Sequence, residues 1–145
     1  APTPDPVVIT VNHSMSCLIV KLKAGTGWKE DDIKDAEVSL CGLKTSSLIN
    51  LPEGTVTADG NAMEMKPMQV GAGIFKALVV PQKVSGSELV KIKVGTNSYS
   101  LKTSIDLKSG RQHTCTVVVN RTGEGINIGI GPWESDDIDY GGSVE

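Results

Sequence analysis

The chain has 145 residues, 39% of them apolar and only 3% aromatic, with a formal net charge of −3 at neutral pH. That length suits one domain with a sizeable core, and the scarcity of rings leaves Val, Ile, Leu and Ala to fill it, which favours β-structure. Scattered lysines without a basic patch exclude a phosphate-backbone partner, so no nucleic acid is expected, and no apolar run approaches the roughly 20 residues that span a bilayer.

Residues 1–6, APTPDP, carry proline at every second position and read as an extended linker. The start lacks Met, a basic n-region and an apolar h-region, which predicts that a native N-terminus has been removed. Val7 to Asn12 and Met15 to Ala24 read as strands. In the second, Leu18, Val20 and Leu22 share one face, opposite Cys17, Ile19, Lys21 and Lys23, so one face is expected to be buried. The stretch GTGWKEDDIKDAEVSL breaks the pattern: Thr26 is placed to cap one or two helical turns, with Glu30, Asp31 and Asp32 near the positive end.

Strand character returns at Ala36 to Leu40 and around Ser46 to Leu51. Asp59-Gly60 predicts a hairpin turn between Thr55–Ala58 and Met63–Met65. Ile74 to Val80, closed by Pro81, reads as a central strand. Glu88 to Val94 alternates, with Leu89, Lys91 and Lys93 on one side and Val90, Ile92 and Val94 on the other. After the Gly95-Thr96-Asn97 turn, Tyr99, Leu101 and Thr103 oppose Ser98, Ser100 and Lys102. The last patterned stretch, CTVVVNRTGEGINIGIGPWE from Cys115 to Glu134, reads as two strands around a tight turn, followed by an acidic tail. About nine strands with Gly, Asn and Asp turns and one weak helix predict an all-β fold, an antiparallel β-sandwich.

No arrangement of reactive residues makes an active site compelling. Gly123, Gly125 and Gly129 come near the dinucleotide spacing but fall on an alternating Ile strand, where no helix N-terminus faces a phosphate. Asn127, Gly129 and Gly131 leave a strip of that strand nearly bare, as at a twist or bulge. His13 precedes Cys17 by four residues and His113 precedes Cys115 by two, so each pair invites a metal or thiol–base reading, yet neither has further ligands at a known spacing. Core cysteines beside surface histidines are the plainer expectation, with Cys17, Cys41 and Cys115 as buried, reduced thiols and a single disulfide as the alternative. The carboxylate runs Glu30–Asp32 and Asp136, Asp137, Asp139 read as solvated faces; calcium at the second would lack EF-hand spacing. Trp28 and Trp133 are expected to cover the ends of the core, since a sugar platform needs more aromatics than this chain has. No catalytic residue, metal or cofactor is expected.

Three segments together resemble the fimbrillin family of bacterial pilus subunits: VNHSMSCLIVKLKAGTGWKEDDIKDAEVSL, ALVVPQKV ending on Pro81-Gln82, and SGRQHTCTVVVNRTGEGINIGIGPWE with its terminal Pro-Trp. The resemblance runs from Val11 to Glu134. It implies a transthyretin-like β-sandwich, in this chain the second of two such domains, made from a lipoprotein precursor, exported, trimmed and polymerised by strand exchange. The implied location is the cell surface, outer membrane-attached or within a fimbrium, and the implied role is that of a structural subunit, or the C-terminal domain of one, supporting adhesion. Partners are then other pilus subunits, with membrane contact only through the precursor's lipid anchor. The alternative is a monomeric surface module binding glycan or host protein. A third class, a cysteine-dependent hydrolase, requires His13 or His113 to meet a thiol in a cleft. The resulting division is a linker over 1–6, a sandwich over 7–133 and an acidic tail over 134–145. In that tail Ile138 and Tyr140 are the expected subunit-contact residues, as anchors of a brief intersubunit or intramolecular strand.

Overall fold

The structure, a computed structural model, describes residues 9–122, 125–130, 134–135 and 142–144. In chain order the elements are β1 (Ile9–Val11), β2 (Ser16–Ala24), α1 (Glu30–Ile33), β3 (Glu37–Asn50), β4 (Thr55–Met65), β5 (Met68–Gly71) and β6 (Ile74–Val79). They continue with β7 (Gln82–Val94), β8 (Asn97–Leu107), β9 (Gln112–Thr122), β10 (Gly125–Ile130), β11 (Glu134–Ser135) and β12 (Gly142–Val144). The described residues thus form twelve strands where about nine were expected.

Two sheets make an all-β sandwich. One runs β10-β9-β2-β6-β5, with β11 also pairing β9, and the other runs β4-β3-β7-β8. Pairing is antiparallel except between β2 and β9, which run parallel from Cys17↔Gln112 to Ala24↔Val119. The antiparallel β-sandwich expected from the sequence thus carries one parallel ladder. Alternation fills the space between the sheets. Leu18, Val20 and Leu22 of β2, Phe75, Ala77 and Val79 of β6, and Cys115, Val117 and Val119 of β9 point in from one side. Val38, Leu40 and Leu43 of β3, Val90 and Ile92 of β7, and Ile105 and Leu107 of β8 meet them from the other.

Bulges explain where the strand boundaries differ from those read in the sequence. β3 is one continuous strand, because the break around Cys41-Gly42 is an extra residue: pairing passes from Leu40↔Met65 to Leu43↔Met63, with Gly42 at φ 70°. Asp59-Gly60 likewise makes no hairpin. Between Lys44↔Ala62 and Ser46↔Asp59 β4 advances three residues while β3 advances two, and Gly60 (φ 76°) takes the positive φ that the bulge needs. The hairpin turn lies earlier, at residues 51–54, where the Gly54 N–H reaches the Leu51 carbonyl at 3.3 Å.

The helix is a single turn, capped by Lys29 and not by Thr26. The Lys29 N–H donates to Asp32 Oδ2 at 2.8 Å, whereas the Thr26 N–H donates to Asn120 Oδ1 at 3.0 Å and its carbonyl accepts from the Arg121 N–H at 2.7 Å. A turn this short has no stability of its own. It is held by burying Ile33 in the core, and by the Ala24 N–H donating to Glu30 Oε1 at 3.2 Å.

Candidate functional site

Two surface features stand apart from the core. The first is a groove of about 280 Å³ on the outer face of the six-stranded sheet. Its wall is built by a local staple between the β8–β9 turn and the segment leading into β2. The Gly110 N–H donates to the Met15 carbonyl (3.0 Å), the Cys17 N–H to the Arg111 carbonyl (2.9 Å), and Ser109 Oγ to the Ser14 carbonyl (2.9 Å). His113 holds the same turn from inside, its Nε2 accepting the Lys108 N–H at 3.2 Å. The groove floor is Leu78, Cys17 and Gln112, level on three neighbouring strands, and Lys76, Arg111 and His13 bring basic side chains to its rim.

The second feature is a set of uncovered edges and apolar side chains. From Lys44 onward β3 buries no residue, so the β3–β4 hairpin extends past the core and carries Leu48, Ile49 and Leu51 at its exposed end. Among the described residues β4, β8 and β5 are sheet edges, and Met63 on β4 and Met68 and Val70 on β5 are exposed. Such edges offer unpaired N–H and C=O groups to another chain. β1 and β12 lie outside both sheets as a two-stranded ribbon, with Ile9↔Val144 and Val11↔Gly142 opposite one another. Ile9 and Val11 are more than half exposed there.

The groove brings together His13 and Cys17, one of the two pairs singled out in the sequence, and among the described residues its lining is basic, polar and apolar. His113 and Cys115 do share a face, but it is the buried one, so His113 is a core residue where a surface histidine was expected. Both face the packed interior and not a cleft. Among the described residues no group of three or more His, Cys, Asp or Glu side chains is placed to hold a metal ion. Glu30 and Asp32 accept backbone hydrogen bonds around α1. Trp28 packs part-buried against the core, with the Arg121 guanidinium 5.7 Å from its ring centroid, so it covers the sandwich as expected. Ile138, Tyr140, Trp133 and the Asp136, Asp137, Asp139 run lie outside the described residues, as does Gly131 of the bare strip. Of that strip, Asn127 and Gly129 lie on β10, an outer strand of the sheet. Sequence reasoning missed the groove, and the outward Leu78 within the alternating β6 was the available signal.

The three cysteines form no disulfide. Cys115 is fully buried, and burial pushes its thiol up to about 11. Cys41 and Cys17 are half-buried where full burial was expected; the Cys41 thiol is raised by burial and then by the nearby Glu64 carboxylate. Because the thiolate is the species that reacts, iodoacetamide at pH 8 is expected to modify Cys17 and Cys41 in the native chain and to reach Cys115 only after unfolding. Peptide mass mapping checks this, and early labelling of Cys115 would contradict its placement.

Residues 2–133 match the family model described as Fimbrillin-like. No curated protein matches the chain. Among solved structures, a candidate cell adhesion protein from Bacteroides uniformis matches with a TM-score of 0.68 at 18% identity, over 85% of this chain and 51% of its own. One from Bacteroides ovatus gives 0.60 at 18% identity, over 83% of this chain and 45% of its own. One from Bacteroides fragilis gives 0.58 at 13% identity, over 88% and 48%. At these identities the likeness is one of fold, and the chain spans about half the length of each of the three.

Proposed function

Because the chain belongs to the fimbrillin-like family, we propose that it is a structural, non-enzymatic subunit of a bacterial cell-surface pilus, or the C-terminal domain of one, assembling by β-strand exchange and supporting adhesion. The observation that carries the reading is the β1–β12 ribbon. Among the described residues, the strand nearest the chain start is paired with the strand nearest its end, outside both sheets, while β4, β5 and β8 keep an open edge. Separating β1 from β12 leaves the described core in place, because Ile9 and Val11 are exposed and lie outside it. Each released strand can then add ladder hydrogen bonds to an edge of another subunit while alternate side chains fill pockets there.

In this reading residues 1–6 are a linker, 7–133 the sandwich and 134–145 the acidic tail that joins neighbours through Ile138 and Tyr140. The subunit sits at the cell surface, attached to the outer membrane through the lipid anchor of its precursor, and its partners are other pilus subunits. Changing Ile138→Ser together with Tyr140→Ser is expected to abolish assembly of the full-length protein while leaving the far-UV circular dichroism of the monomer unchanged. Assembly that survives the double change removes the tail from the contact.

A further inference from the structure

We infer that the open side of β3 beyond Lys44 pairs with the same side of β3 in a second copy of this chain, antiparallel and about a twofold axis at Leu48. The contact is distinct from the tail contact proposed above and does not depend on it; only its repetition along a polymer rests on the pilus reading.

β3 is an inner strand over only part of its length. β7 pairs with it from Glu37↔Lys93 to Leu40↔Val90. At Lys44 the Gln82 side chain stands in for a strand, accepting the Lys44 N–H and donating to its carbonyl, each at 3.0 Å. Past that clamp β4 pairs on from Ser46↔Asp59 to Asn50↔Thr55, whereas among the described residues nothing pairs with the opposite side of β3. Leu48 is 63% exposed, Ile49 62% and Leu51 84%, so the chain does not cover these side chains itself. Other open edges are guarded in the usual ways: β4 by Asp59, Glu64 and the Gly60 bulge, β8 by Lys102 and Asp106, and β5 by its length of four residues and its irregular register. The stretch TSSLINL, Thr45 to Leu51, has no charge, proline or glycine, the composition that invites pairing.

Symmetry and charge select a second copy as the occupant. A two-stranded hairpin is marginal in water, and three or more strands with an apolar face are needed for stability. Self-pairing turns two projecting hairpins into one sheet ordered β4-β3-β3-β4. Residues directly opposite in an antiparallel pair share a face, so a twofold axis must fall on a residue. At Leu48 it sets Leu48 against Leu48, Ser47 against Ile49 and Ser46 against Asn50, with no like charges opposed. Ile49 and Val56, already cross-strand neighbours, then continue onto the second hairpin as one apolar face, and Lys44 comes level with the other copy's turn, which carries Glu53. A ladder this short buries less than the ~1,200–2,000 Å² of a stable interface. Isolated chains therefore pair weakly, while an edge repeated along a polymer gains by multivalency.

Sedimentation of the 145-residue chain at rising concentration reads the association, and oxidation of cysteine variants, followed by peptide mapping, reads its geometry. A monomer–dimer equilibrium is expected, weakened about tenfold or more by Leu48→Lys, which sets two ammonium groups opposite each other. Leu48→Cys should cross-link to itself at position 48, since opposite residues lie about 4.5–5.5 Å apart between Cα atoms, within disulfide reach. Thr57→Cys, across from Leu48 on β4, should not. Positions 48 and 57 are exposed, so these changes leave the fold intact. A chain that stays monomeric to its solubility limit, a dimer indifferent to Leu48→Lys, or Leu48→Cys that links to Thr57→Cys in a mixture in preference to itself overturns the inference. The readings fail separately: Ile138→Ser with Tyr140→Ser should leave this dimer unchanged, and a chain that dimerises at Leu48 yet never polymerises keeps the contact and refutes the pilus reading.

Discussion

Leu89→Lys is expected to unfold the domain, although the alternation of Glu88 to Val94 sets Leu89 on the same side as Lys91 and Lys93. Pairing between β7 and β8 passes from Glu88↔Lys102 to Val90↔Leu101, so β7 advances two residues while β8 advances one. The extra residue lets the consecutive Leu89 and Val90 both turn inward, and each is 0% exposed. An ammonium at position 89 would be buried among Leu and Val side chains with no paired charge, at a cost of several kcal/mol. That is comparable with the roughly 5–15 kcal/mol by which a typical domain is stable. Leu89→Ala keeps the site apolar and should cost about 2–5 kcal/mol, while Lys93→Ala, at an exposed position, should stay within about 0.5 kcal/mol of the parent. Urea unfolding followed by circular dichroism separates the three. A Leu89→Lys chain with the parent's midpoint would mean that Leu89 faces solvent and that the bulge is absent.

The same residue shows what the sequence can and cannot reveal. Period-two alternation was legible wherever a strand ran without a bulge: Leu18, Val20 and Leu22 in β2 and Cys115, Val117 and Val119 in β9 are buried as the pattern requires. A bulge shifts the pattern by one residue, and nothing local in the sequence separates the glycine of a bulge from that of a turn. Both want a positive φ, which is why Asp59-Gly60 reads as a hairpin and Gly42 as a strand end. The cap moved from Thr26 to Lys29 for a related reason: the Thr26 main chain is already engaged by Asn120 and Arg121, 94 or more residues away. Long-range pairing of this kind also hides the groove, which needs Met15, Leu78 and Arg111 in one place. The family was legible in the order of its segments, since strand spacing and the Pro-Trp ending survive as linear features.

Release of β1 is expected to have the largest effect on the state of the protein. Ile9 and Val11 contribute nothing to the common core and lie in a ribbon whose other strand belongs to the tail. A two-stranded ribbon is marginal by itself in water, so limited proteolysis after Val11 should remove β1 without unfolding the sandwich and leave β12 without its partner. A cysteine pair at Ile9 and Val144, which face one another across the ribbon, provides the control. Oxidised, the pair ties β1 to β12 and should hold the chain as a monomer even after cleavage following Val11; reduction should restore assembly.

Native mass spectrometry of the protein before and after that trimming, with SDS gels run in parallel, tests strand-exchange assembly most directly. The account predicts conversion of a monomer into an SDS-resistant ladder of whole-number multiples. A trimmed chain that remains folded and monomeric at every concentration and ionic strength would contradict it.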